Sequence, residues 1–70
     1  MRYELAILTE DLLGDYTGKA RLDNGEEVVF RNDCGGGGYR GFCGGRCRLV
    51  LTDDGWHILE IEHRSIQLVG

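Results

Sequence analysis

Three cysteines, Cys34, Cys43 and Cys47, bracket a glycine-rich stretch, and two histidines, His57 and His63, follow it in the chain. Thiolate and imidazole are the ligands of structural zinc, so Cys34, Cys43 and Cys47 with His57 or His63 would complete a tetrahedral site. The spacing argues against that chemistry. Eight residues separate the first two cysteines and three the next two, whereas zinc ribbons and knuckles pair their ligands across short, matched gaps. The favoured reading makes Cys47 a small core residue on a strand and leaves Cys34 and Cys43 as free loop thiols. No cofactor is therefore expected; zinc on Cys34, Cys43, Cys47 and His57 is the minority alternative, and a disulfide the third.

The run from Gly35 to Arg46 interleaves Tyr39, Arg40, Phe42 and Arg46 with glycine. Arginine supplies charge and cation–π contact and an aromatic ring supplies a π face, which together hold single-stranded RNA. The same residue types dominate the energetics of protein interfaces. Tyr39, Arg40, Phe42, Arg46 and Arg48 are accordingly the expected partner-binding residues, with Tyr3 and Tyr16 as further aromatic contact candidates. Glycine gives Tyr39 and Phe42 little to pack against, so each is either offered to a partner or folded back on the sheet. Trp56, by contrast, is expected in the core at one end of the fold.

Catalytic seeds are weak. Gly36-x-Gly38-x-x-Gly41 spells the dinucleotide-binding pattern, but no helix follows it and no strand–helix–strand unit fits in so short a chain. Glu60 and Glu62 share a strand face and read as a solvated edge. A cysteine nucleophile would need a base and a sheltered cleft that nothing in the sequence signals. The chain is not expected to be an enzyme.

The elements that must position these residues are strands. Asp23-Asn24-Gly25 predicts a type I′ hairpin between residues 16–22 and 26–31, with Val28 and Phe30 on one face. Asp53-Asp54-Gly55 predicts a second between residues 46–52 and 56–62, with Cys47, Leu49 and Leu51 on one face. On its return strand neither face is purely apolar, as happens where a strand bends round a barrel. Residues 3–8 read as a strand, after which Thr9 would cap one helical turn over residues 10–13, stopped by Gly14. A turn at residues 63–65 and a last strand over 66–69 complete the pattern. The expected fold is mostly β, a small SH3-like or Sm-like five-stranded barrel with a short N-terminal helical turn. It forms a single domain over residues 1–70 with a glycine-rich loop at 33–46.

With 70 residues there is room for one core only, because so short a chain buries about 60% of its unfolded surface. No apolar run is long enough to cross a bilayer, and the first residues lack a signal-peptide pattern. With the odd cysteine count, this leads to an expected cytoplasmic location. The net charge of −4 is unevenly placed: residues 31–48 hold four arginines against Asp33 alone, so a basic segment sits on an acidic remainder. That remainder disfavours phosphate and favours a protein partner.

Ala20-Arg21-Leu22-Asp23-Asn24-Gly25-Glu26, then Leu49-Val50-Leu51, then the run from Ile58 through Glu60, Glu62 and Ser65 to Ile66 resemble the strand pattern of the Rho-binding antiterminator (Rof) family. The resemblance covers roughly residues 19–69. It implies an Sm-like barrel and an acidic protein that binds the transcription-termination factor Rho and blocks its RNA site. The sequence departs from that pattern in its Gly/Cys/Arg loop and in its N-terminal segment, where such proteins carry a helix used for contact.

The expectation is a non-enzymatic regulatory module that engages a protein partner through its Gly-rich loop and an exposed sheet edge, as an acidic inhibitor or nucleic-acid mimic. A single-stranded RNA-binding barrel and a structural zinc domain are the alternatives. Unpaired edge strands would also permit a homodimer.

Overall fold

A computed structural model describes residues 1–33 and 38–62. The described residues form seven strands: β1 (Arg2–Leu8), β2 (Leu12–Leu13), β3 (Thr17–Leu22), β4 (Glu27–Arg31), β5 (Arg40–Gly41), β6 (Arg46–Thr52) and β7 (Gly55–Ile61). Five of them close into a barrel in the order β1-β3-β4-β7-β6, while β2 and β5 form a separate two-stranded ladder. The expected small five-stranded barrel is what forms. Cys34 and the last expected strand, over residues 66–69, lie outside the described residues. No helix of the described residues is long and apolar enough to cross a membrane.

The period of two decides which side chains enter the barrel. Ala6 and Leu8 from β1, Ala20 and Leu22 from β3, Val28 and Phe30 from β4, and Cys47 and Leu49 from β6 are buried together, with Tyr39 and Trp56 packed against them. Trp56 is half-buried as expected, and the Arg2 guanidinium lies 5.5 Å from its ring centre. The return strand switches faces in the middle. Arg48 pairs with Glu60 but Leu49 pairs with Ile58, so Leu59 is an additional residue on β7. This bulge lets Ile58 and Ile61 both point inward although they are three apart.

The first hairpin departs from expectation in its turn. Asn24 does not take positive φ; among the three turn residues only Gly25 does, at 87°. Gly25 N–H donates to the Leu22 carbonyl at 2.9 Å and Leu22 N–H to the Glu26 carbonyl at 2.8 Å. The connection is thus a three-residue loop, a type I turn followed by a left-handed glycine. The Asn24 side chain accepts from Glu26 N–H at 2.8 Å instead of tolerating a left-handed backbone.

The predicted helical turn after Thr9 is also corrected. Leu12 and Leu13 pair in β fashion with Gly41 and Arg40, and Leu12 is buried in the core. A single turn pays the full nucleation cost for one hydrogen bond, whereas extension gives Leu12 a place in the core and satisfies the backbone against a distant strand. Barrel closure likewise removes most of the sheet edge expected as a docking surface, β4 meeting β7 in parallel at Phe30–Trp56 and Arg31–His57.

Two close contacts pack the end of β4. Gly18 sits opposite Phe30, and a Cβ there would collide with the Phe30 ring and come within 3.0 Å of Leu12 Cδ1. Asn32, just past β4, is buried and fully used. Its Nδ2 donates to the carbonyls of Asp15 at 3.0 Å and Tyr39 at 2.9 Å, and its Oδ1 accepts from Tyr39 N–H at 2.8 Å. Gly18→Ala is expected to overpack the core and lower the unfolding free energy by about 1–3 kcal/mol in urea titration. Asn32→Ala empties a buried site and removes three part-buried hydrogen bonds, each worth about 0.5–1.5 kcal/mol, so its urea midpoint should fall at least as far.

Candidate functional site

The glycine-rich loop is built into the fold from Gly38 onward. Gly38 has φ of 78°, and a Cβ at that position would stand 2.8 Å from Asn32 Nδ2. Glycine alone lets the chain pass this close. Tyr39 then turns inward, its hydroxyl donating to the Leu59 carbonyl at 2.8 Å. Beyond Gly41 the chain is tied to β1: Gly44 N–H donates to the Leu8 carbonyl and Leu8 N–H to the Gly45 carbonyl, both at 2.8 Å. Cys43 N–H donates to Asp11 Oδ1 at 2.8 Å.

The five expected binding residues therefore separate. Tyr39 is folded back on the sheet. Phe42 is 74% exposed, and Arg40 is exposed on β5 with its guanidinium over Gly14. Arg46 and Arg48 lie on the outer wall of β6, away from the loop tip. Of the expected zinc ligands, Cys43 is exposed and its thiol donates to the Thr9 carbonyl at 3.3 Å. Cys47 faces the core, where burial pushes its thiol up to about 11. Both ring nitrogens of His57 are engaged by carboxylates, and the described residues contain no group of three or more His, Cys, Asp or Glu placed to hold a metal.

Sequence reasoning named Tyr3, Arg46 and Arg48 but passed over Leu5 and Ile7, which the barrel sets beside them on β1. Tyr3, Leu5 and Ile7 alternate with the inward Ala6 and Leu8 and are 57%, 56% and 46% exposed. The register sets Ile7 opposite Arg46 and Leu5 opposite Arg48 on β6, and Ile7 opposite Arg21 on β3. An open groove of about 640 Å³ runs along this wall, with Leu5, Ile7, Arg46, Arg48, Glu60 and Glu62 in its lining. The alternation of residues 3–8 puts Tyr3, Leu5 and Ile7 on one face, but does not say that this face meets water.

A second cluster stands at the seam. His57 Nδ1 lies 3.1 Å from both carboxylate oxygens of Asp33, and its Nε2 lies 2.9 Å from Asp54 Oδ1. Ionised carboxylates only accept, so both bonds require an imidazolium. The hydrogen bond to Asp54, then that to Asp33, raises the His57 pKa above its ordinary 6.5. Asp54 is held well below the usual carboxylate range by the Thr52 hydroxyl first and by His57 second; Arg31 adds an ion pair to it at 3.2 Å. A group with a raised folded pKa stabilises fully below its unfolded value and loses that contribution as pH rises through the folded one. Thermal melts of wild type relative to His57→Gln should therefore show an advantage at pH 6 that shrinks through pH 7 to 9; a constant difference would mean that His57 is neutral when folded.

A scan against family models, a search of curated proteins and a search of solved structures each returned no match to this chain. What places the chain is its architecture, a small closed five-stranded β-barrel.

Proposed function

We propose that the protein is a non-enzymatic binding module that engages a protein partner through the outer wall of β1 and β6. The observation that carries this reading is the line of Tyr3, Leu5 and Ile7, three large apolar side chains left to solvent on consecutive outward positions of one strand. A barrel of this size gains nothing from exposing them, and contiguous apolar surface bordered by arginine has the composition of an interface centre. His57, a group with acid–base potential, is held between two carboxylates away from this wall.

Outside residues 31–48 the chain is strongly acidic, which suits a regulator whose body shields a nucleic-acid site once the apolar wall has docked. The resemblance to Rho-binding antiterminator proteins points toward the same kind of activity. It reaches this chain through the barrel strands; the N-terminal contact helix of that family has no counterpart among the described residues. Direct RNA binding is the weaker reading, since Tyr39, one of its two loop aromatics, is turned inward.

Site-specific photo-crosslinking in cells tests the assignment. A benzophenone side chain at Leu5 should yield a discrete protein adduct that Ile7→Asp suppresses and that reforms with the purified partner. The same group at Val29, exposed on β4, should yield none. Adducts to RNA at Leu5, or equal adducts at both positions, would sink the proposal.

A further inference from the structure

The chemistry of the partner follows from how charge is layered around β1, given the binding wall just proposed. The apolar line from Tyr3 to Ile7 runs about 13 Å at ~3.3 Å per residue. Its immediate neighbours are Arg46 and Arg48 on β6 and, beside Ile7, Arg21 on β3, while Asp23 lines the same groove. Further carboxylates come one strand out, Glu60 opposite Arg48 on β7 and Glu27 opposite Arg21 on β4. The Arg21–Glu27 and Arg48–Glu60 pairs are long, 3.8 and 3.5 Å, and solvent-exposed at both ends. Exposed pairs of this kind contribute little, being screened by water and salt, so both arginines can exchange partners at little cost. Arg46 makes no ion pair among the described residues.

We infer that this wall takes a segment of a partner protein whose apolar side chains are bordered by carboxylates. The apolar side chains cover Leu5 and Ile7. The carboxylates accept from Arg46 and Arg48 along one border and from Arg21 along the other, in the forked geometry that guanidinium offers. A second copy of this chain is a poor occupant, because stacking two such stripes brings arginine borders against arginine borders. RNA is also poor, because the centre of the wall is apolar and its outer zone acidic. The net charge of −4 opposes an acidic segment at long range. At physiological salt the Debye length is only about 8 Å, so the arginine border itself decides.

Two fluorescent peptides with identical leucines, one bordered by glutamate and one by lysine, test this by anisotropy titration with the intact protein at about 0.15 M ionic strength. The glutamate peptide should bind at least about tenfold more tightly. The Arg46→Glu, Arg48→Glu double variant should reverse the order, and Leu5→Asp should remove both signals while its circular dichroism and thermal melt stay those of wild type. Equal affinities, or a preference for lysine, overturn the charge assignment; if Leu5→Asp still removes binding, the docking wall itself survives. Binding of neither peptide also overturns it, and if the Leu5 crosslinker is silent as well, the protein-binding reading falls with it. Sedimentation showing a dimer that Leu5→Asp dissociates would give the wall to a second copy and refute the assignment.

Discussion

Asn32 is the one buried polar residue among those described, and the entry of the chain into β3 and its return toward β5 are both tied to it. Its amide is bonded to two carbonyls and one N–H, and its own backbone N–H donates to the Tyr16 carbonyl at 2.6 Å. One side chain thereby joins the approach to β3, the end of β4 and the return of the glycine-rich loop. A leucine has the same branching but can make none of these bonds, and would leave the part-buried carbonyls of Asp15 and Tyr39 without this partner.

The same corner explains why the seam is strengthened by side chains. A parallel contact of two residue pairs offers few backbone bonds, so Arg31, Asp33, Asp54 and His57 add charged links from β4 and its continuation to the β6–β7 turn. These links sit at the surface and weigh less than the burial of Phe30 beneath them. They respond to proton concentration, however, which the apolar core does not. The Leu59 bulge acts on the other side of the seam: it re-aims β7 so that Ile61 returns to the core after Glu60 has paired outward with Arg48.

The proposed function rests on the outer surface. The interior is filled by aliphatic side chains, Cys47 and Phe30, so the proposed partner would meet the walls of the barrel or its loops. Of these, the β1–β6 wall joins apolar area to arginine in a fixed register, whereas the loop tip offers Phe42 and Arg40 from a segment whose other aromatic is spent on packing. A rigid strand face also loses less conformational entropy on binding than a loop does.

Much of the fold was legible along the chain. Alternation at Val28–Arg31 and the two Asp/Gly turns marked the hairpins, because strand period and turn chemistry are local properties. The apolar character of Tyr3, Leu5 and Ile7 was equally legible, but not its exposure, since a period of two says which residues share a face and not which face is inside. That choice belongs to tertiary structure, which placed Ala6 and Leu8 against Phe30 and Leu49 and left the larger side chains in water. The conversion of residues 12–13 from helix to strand, the role of Asn32 and the engagement of His57 by Asp33 and Asp54 were likewise decided by contacts across long sequence separations. Sequence alone determined that this chain is a small β domain with an acidic surface and a basic segment; tertiary structure alone decided which arginines border an apolar wall, because register between strands distant in sequence is fixed only when the barrel closes.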